Sequence, residues 1–406
     1  MDTAIVGGGI GGLTAALALQ DTDVTPVVYE ARAEAAETGA GIQLSPNAVK
    51  VLHALGLRAP LAAIGHRPEA IELRDARSGR LIARRPLGAQ SEARYGAPYY
   101  NVDRPALHAM LREAANARGI PVEAGMRCTD LLEEDEQVAL VFEGDRRSAG
   151  LVVGADGIHS RIRSLMLGAD APRFTGNVAF RGLIDADRIE ADRIEADRSD
   201  VDARAPRVTA WLGAGRHLVH YPVSGGRRIN FVAVVESDTW TDESWTTAAA
   251  PGELAAAFAD WHPAVRALLG QAGDVWKWAL HDRTPLPRWS DARVTLLGDA
   301  CHPMVPFLAQ GACMAIEDAW VLARCLEDRD EDEPRMALRR YQQARGPRTA
   351  RVQRAAREQG ERFHARAPLR RIARDLELGL GSRLLPELAM ARFDWLHGYD
   401  AVARFD

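Results

Sequence analysis

The stretch "TAIVGGGIGGLTAALAL" constrains this chain more than any other. A short apolar run ends in Gly7, Gly9 and Gly12, and a helix-forming run follows. In a strand-turn-helix setting that spacing has a physical meaning. The first glycine permits the tight turn, the second lets a pyrophosphate approach the backbone, and the third lets helix and strand pack closely. The phosphate then sits at the helix N-terminus. The next apolar run, "VTPVVYE", reads as a second strand ending at Glu30, where a carboxylate can accept hydrogen bonds from an adenosine ribose. Strand, helix and strand open a βαβ unit and predict a parallel sheet. A glycine-rich turn alone is a weak signal; with Glu30 in place it becomes a dinucleotide site.

With 406 residues, 47% of them hydrophobic, the chain can bury a large core and divide into more than one domain. A net charge of -5 gives no electrostatic case for nucleic acid. The four cysteines, Cys128, Cys301, Cys313 and Cys325, have no metal-ligand spacing, which predicts neither a zinc site nor a disulfide framework. The glycine-rich start lacks the basic flank of a signal peptide, and no apolar run is long enough to span a bilayer. The expectation is a cytoplasmic protein with no membrane or nucleic-acid partner.

Further along, "AIELRDARSGRLIARRPL" reads as a hairpin turning at Ser78-Gly79. Next, "NVDRPALHAMLREAANARG" reads as a helix with Asp103 as N-cap. From about residue 172 to 280, alternating runs such as "RVTAWLG", "RHLVHYPV" and "RRINFVAVVE" predict an antiparallel sheet inserted into the α/β domain. The tandem IEADR at 189–198 reads as a solvated insertion. The stretch from Pro334 to Arg374, rich in arginine, reads as a helical solvated or interface face.

Two later motifs decide which dinucleotide is bound. In "LVVGADGIHSRIR" an apolar strand leads to a polar turn holding Asp156, which could equally be a helix cap. In "LLGDACHPMVPFLAQGACMAIEDAW" a buried strand ends at Gly298-Asp299, placing Asp299 to bind a polyol hydroxyl. The helix that follows starts near Gln310, Gly311 and Ala312 and presents its positive end. Such an end would stabilise the negative charge of a reduced flavin.

These motifs, in this order, resemble the single-component flavoprotein aromatic monooxygenases of the para-hydroxybenzoate hydroxylase type. The match runs from the N-terminal glycines through "GAGIQLSPNAVKVLHALGL" to the terminal "WLHGYDA". The resemblance implies an α/β fold: a Rossmann-like FAD-binding domain with an inserted antiparallel-sheet substrate domain and a C-terminal helical segment. The expected boundaries are 1–70, 96–171 and 281–333 for the FAD domain, 71–95 and 172–280 for the sheet domain, and 334–406 for the helices. It implies FAD held by Gly7, Gly9, Gly12, Glu30, Arg32, Arg104, Asp156, Asp299, Pro306, Gly311 and Ala312. It further implies NADH or NADPH as a transient co-substrate, O2, a small aromatic acid, and a monomer or homodimer.

The salicylate hydroxylase, 3-hydroxybenzoate 6-hydroxylase and 6-hydroxynicotinate 3-monooxygenase members are similar in character. In 3-hydroxybenzoate 6-hydroxylase a His and a Tyr spaced as His217 and Tyr221 line the substrate pocket, and a Gln stands where Gln310 stands here. The strand period of two puts His217, Val219 and Tyr221 on one face of "RHLVHYPV". A phenol reacts faster as phenolate, so a neutral imidazole is a suitable base. His217 is therefore the expected base, with Tyr221 and Gln310 orienting the ring. His302 is expected to shape its loop. Phe307 and Val208, where 6-hydroxynicotinate 3-monooxygenase carries a histidine and a cysteine, favour a benzene ring. The implied reaction is hydroxylation of a salicylate- or 3-hydroxybenzoate-class acid through a flavin C4a-hydroperoxide. The alternatives are a decarboxylating hydroxylase of the 6-hydroxynicotinate type, or a flavin oxidase or reductase of a non-aromatic substrate.

Overall fold

The computed structural model describes residues 1–33, 40–189, 202–238, 247–327, 334–384 and 386–405. The first strand, Asp2–Val6, lies inside a six-stranded sheet whose order is 290–291, 294–296, 151–154, 2–6, 25–30, 122–124. Its neighbours Leu151–Gly154 and Thr25–Glu30 run parallel to it, with Gly154 and Tyr29 opposite Val6. Parallel strands need a crossover, and the helix Ile10–Gln20 supplies it. That helix is buried from Ile10 to Leu19 apart from Gly11, because it also packs on the helix Gly311–Glu327. Its apolar residues therefore encircle it instead of forming a stripe.

A second sheet of eight strands takes the order 247–248, 276–282, 173–185, 228–236, 216–223, 207–213, 70–75, 81–86. The hairpin at 70–86 turns at Gly79, whose φ is +73°, and joins this sheet through a parallel pairing with 207–213. All its other pairings are antiparallel. Leu218 and Phe231 pack with Phe258 and Trp261 beyond one face of the sheet. The opposite face carries His217, Val219 and Tyr221 and looks onto a cavity.

Two sequence expectations change in the folded chain. Asp103 does stand at the N-cap of the helix Arg104–Ala117, but its side chain makes no cap bond and pairs with Arg228 instead. A cation answers a buried carboxylate more strongly than an amide does. The arginine-rich helix Pro334–Phe363 is not simply a solvated face either. Arg345 is fully buried, its Nη1 2.6 Å from Glu317 Oε2 and its Nε 2.7 Å from Asp318 Oδ1. Arg348 adds a second cation to Glu317. Glu317 and Asp318 are buried on the helix Gly311–Glu327, and buried carboxylates require such partners. The IEADR repeat beyond Ile189 and the acidic stretch 328–333 lie outside the described residues. Among the described residues no helix is long and apolar enough to cross a membrane.

Candidate active site

The glycine turn has the shape of a cradle. Gly7 has a φ of +112°, and a Cβ on it would lie 2.4 Å from the Ala155 carbonyl oxygen. A Cβ on Gly12 would lie 1.9 Å from the Gly7 carbonyl oxygen, so only glycine allows this helix to meet this turn. A Cβ on Gly9 would meet nothing within 4 Å. The helix N-terminus at Gly9 carries no side-chain cap and opens onto free space, as a pyrophosphate requires. Glu30 accepts hydrogen bonds from Gly8 N (2.8 Å) and Arg32 N (2.9 Å), which fixes its carboxylate beside the turn.

A cavity of about 740 Å³ extends from this cradle between the two sheets to the C-terminal helices. Of the expected residues, Gly9, Arg104, Asp299, Pro306, Gly311, Ala312, His217, Tyr221 and Gln310 line it. Gly7, Gly12, Glu30 and Asp156 do not, and Arg32 is exposed outside it. Asp156 serves the helix Arg161–Leu167: its Oδ2 accepts from Arg161 N (2.7 Å) and Ile162 N (3.1 Å), and its Oδ1 accepts from Ser160 Oγ. Its neighbours Ala155 and Gly157 reach the cavity instead.

Asp299 is exposed, but into the cavity. Desolvation by the surrounding protein pushes its carboxyl pKa up, while His302 and Arg104 pull the other way. A carboxylate facing the cavity, with an uncapped helix N-terminus and no acidic residue in the first turn of the helix Gly311–Glu327, is a donor and acceptor set that fits FAD. The loop between them is fixed from behind. Asp318 Oδ2 accepts from Gly298 N (3.2 Å) and bonds His302 Nε2 (2.5 Å). Burial disfavours the His302 cation, yet Cys301 and Asp318 hold its pKa well above the ordinary value.

Gln310 is engaged differently from the sequence expectation. Its Nε2 donates to Ser45 Oγ (2.9 Å) and its Oε1 accepts from Asn47 Nδ2 (3.2 Å). Its amide thus ties the loop 306–310 to the helix Pro46–Ala54, although the residue lines the cavity.

The far end of the cavity is aromatic around His217. His217 meets the rings of Phe307 (5.2 Å between centroids) and Phe363 (5.4 Å) edge-on. Burial, and after it the neighbouring His364, lower its pKa well below the usual histidine value, so it is neutral. Tyr221 is buried, which pushes its pKa up against the opposing pull of the neighbouring Gln43. Gln43 Oε1 also accepts from Tyr99 Oη (2.6 Å). A Cβ on Gly41 would lie 2.7 Å from Tyr221 Cε2, so that glycine makes room for the ring.

Beyond Tyr99 lies Arg85, whose guanidinium sits 3.9 Å over the Phe393 ring. Its Nη1 is buried and has no hydrogen-bond partner among the described residues. Burial lowers its pKa, and the nearby Tyr99 and Tyr95 partly offset this. Sequence reasoning finds no arginine for a substrate carboxylate, because the residues around Arg85 come from distant segments. Gln43 sits inside the quoted "GAGIQLSPNAV" motif and could have been noticed there. His364 and Tyr99 stand in no motif.

Known proteins are similar to this chain over nearly its whole length. The sequence matches the FAD binding domain family over residues 1–356. It is 43% identical over 400 residues to the 3-amino-4-hydroxybenzoate 2-monooxygenase of Streptomyces platensis, covering 98% of this chain and 96% of that one. It is 35% identical over 400 residues to the 3-hydroxybenzoate 6-hydroxylase of Polaromonas naphthalenivorans, covering 98% and 95%. Among solved structures, HpxO of Klebsiella pneumoniae with FAD and uric acid superposes with a TM-score of 0.82 at 29% identity, covering 98% and 97%. A salicylate hydroxylase substrate complex superposes equally well, with a TM-score of 0.82 at 28% identity, covering 99% and 96%. FAD is the cofactor, and a small aromatic compound, O2 and reduced nicotinamide are the reactants of this class. The chain belongs to the FAD binding domain family and, within it, to the single-component FAD-dependent aromatic monooxygenases.

Proposed function

We propose that this enzyme hydroxylates a benzoic acid carrying a ring hydroxyl or amino group, and that 3-amino-4-hydroxybenzoate is the first substrate to test. The observation that carries the proposal is one cavity lined by a half-buried cation, Arg85, whose Nη1 is buried without a hydrogen-bond partner among the described residues, and by a neutral imidazole, His217, joined by an apolar wall. The name of the 43% identical relative supplies the substitution pattern. Phe307 and Val208 line the same space, which suits a benzene ring. The four cysteines are unbridged, as suits a cytoplasmic setting.

FAD, when bound, supplies the oxygen-activating chemistry. The chain's own residues make the ring reactive. Arg85 pairs with the carboxylate and fixes the ring's direction. His217 has Nδ1 bonded to His364, which leaves Nε2 to take a proton from the ring hydroxyl or from a ring-bound ammonium. The freed lone pair enriches the ring carbons ortho and para to it, and these are the positions that can be hydroxylated. Tyr221, held by Gln43, positions the ring, while Gln310 holds the loop beside the cofactor. The aromatic wall of Phe307 and Phe363 limits the access of water to the reacting centre.

The test is NADH and NADPH oxidation by the FAD-loaded enzyme, with product identification. It is run with 3-amino-4-hydroxybenzoate, 3-hydroxybenzoate, salicylate, 4-hydroxybenzoate or 6-hydroxynicotinate. Stimulation by one benzoate with a matching hydroxylated product is expected. Slow oxidation that no acid stimulates, yielding only peroxide, sinks the proposal. A separate expectation concerns Arg85→Met. Removing a charged hydrogen bond of ~1.5–3 kcal/mol should raise KM about 10- to 150-fold, with a smaller effect on kcat. A variant with unchanged KM would take Arg85 out of substrate binding.

A further inference from the structure

His217 is the inner end of a line of side chains that leads out of the cavity. Its Nδ1 lies 2.6 Å from His364 Nε2. On the far side of that second imidazole, Nδ1 lies 3.4 Å from Glu236 Oε1. The other Glu236 oxygen accepts from Arg366 Nε at 2.7 Å. Side-chain exposure rises along the line from 5% at His364 to 30% at Glu236 and 73% at Arg366. The elements that assemble it are distant in sequence. His217 and Glu236 come from adjacent strands of the second sheet, and His364 follows directly on the helix Pro334–Phe363. The turn residue Gly215, with φ +66°, leaves room for the outer pair: a Cβ there would lie 3.2 Å from Glu236 Oε2 and 3.3 Å from Arg366 Nε. Its amide also donates to the His364 carbonyl oxygen (3.1 Å), which holds the end of the line in place.

We propose that His364 and Glu236 form a proton relay that carries the proton taken up by His217 from the buried ring to the protein surface. The proposal rests on the reading of His217 as the base. In the resting state both imidazoles are neutral: burial lowers His217 far, and burial lowers His364 to about 4 against the opposing pull of Glu236. One set of tautomers then satisfies every contact. His217 carries its proton on Nδ1 and donates to His364 Nε2, while His364 carries its own on Nδ1 and donates to the Glu236 carboxylate. When a substrate proton arrives at His217 Nε2, the Nδ1 proton passes to His364 Nε2. The His364 Nδ1 proton passes to Glu236, which releases it to water. The phenolate is then the charge left on the reacting ring, no cation stays on either imidazole, and each protein group returns to neutrality or to carboxylate after both rings reset their tautomers. Without the relay, the proton would stay on His217 beside the phenolate among Phe307 and Phe363, from where it can return to the ring oxygen.

Among the described residues, the charged groups facing the line come from the elements packed against it. Glu236 comes from the strand Arg228–Glu236 and Arg366 from the segment after the long helix. Arg374, from the helix Pro368–Leu384, bonds the carbonyls of Arg362 and Phe363 and is itself paired with Asp375. Arg362 is paired with Glu377. Of these, Glu236 alone offers a proton acceptor directly to His364.

His364 and Glu236 act through His217, so they position and conduct rather than touch the ring. The test mixes the FAD-loaded enzyme with 3-amino-4-hydroxybenzoate in weakly buffered solution containing a pH indicator. It reads the rate of proton release alongside substrate affinity and hydroxylation. His364→Gln keeps an acceptor for His217 Nδ1–H but cannot pass the proton on; Glu236→Gln keeps the outer shape and removes the acceptor. Both variants should slow proton release roughly tenfold, less than the ~10²-fold or more lost with a directly acting base, with affinity and FAD content unchanged. Proton release as fast as in the wild type, in either folded variant, overturns the relay while leaving the base reading intact. A wild-type enzyme that binds and hydroxylates none of the phenolic acids overturns the base reading and the relay together.

Discussion

His217→Ala should lower the rate of aromatic hydroxylation about 10²- to 10⁴-fold, the range a positioned base contributes, while FAD stays bound. The substitution removes the imidazole that Phe307, Phe363 and His364 hold against the cavity, and it touches none of the glycine turn at Gly7, Gly9 and Gly12. The pH dependence carries the sign. Burial and His364 keep His217 neutral to well below the ordinary histidine value, so the acid limb of the wild-type profile should fall well below pH ~6.5. In the variant the imidazole no longer takes the proton, and the rate should climb with pH toward the phenol's own pKa of about 10. More reduced nicotinamide should be consumed per product, with peroxide making up the difference. Single-turnover product yield against pH measures all of this. A variant that hydroxylates at the wild-type rate would remove His217 from the chemistry.

Arg345→Met should destabilise the protein by ~3–5 kcal/mol, the cost of leaving buried charges without their partner. Arg345 is fully buried between Glu317 and Asp318. After the substitution Glu317 keeps Arg348 and Asn47, and Asp318 keeps only His302 and the Gly298 amide. Asp318 also fixes the loop that presents Asp299, so FAD affinity should fall together with stability. The partners of both carboxylates hold their pKa values below the usual range, against burial. Their contribution is therefore present above pH ~4, where they would ionise in the unfolded chain, and is lost as pH falls through the lowered folded values. The wild type and the variant should accordingly converge in acid. Denaturant titration at neutral and acid pH measures the difference, and a loss under ~1 kcal/mol at neutral pH would mean that the remaining cations carry the site.

These two residues also mark how far the sequence could be read. His217 was visible because a strand period of two is local: with Leu218 buried on one face, His217 and Tyr221 had to share the other. The glycine turn was visible for the same reason, since φ +112° at Gly7 and the contact of Gly12 with its carbonyl are set within a few residues. Arg345 was not visible as a buried cation. A run of arginines on a long helix reads as a solvated face, and only the approach of Glu317 and Asp318 from another helix makes it the centre of an ion cluster. The same holds for Asp103, which a local rule assigns to a helix cap and Arg228 takes instead.

The sequence by itself determined the parallel sheet, the glycine turn, the antiparallel sheet and one wall of the cavity, because these follow from local backbone geometry and short-range periodicity. Only the tertiary structure decided what completes the site. It brought Arg85 and Tyr99 toward Gln43 and Tyr221, engaged Gln310 with Ser45 and Asn47, and set His364 and Glu236 behind His217. Those pairings join segments up to 265 residues apart, as in the bond between Gln310 and Ser45. Charge and hydrogen-bond partnership is settled by which groups burial forces together, and no spacing along the chain records it.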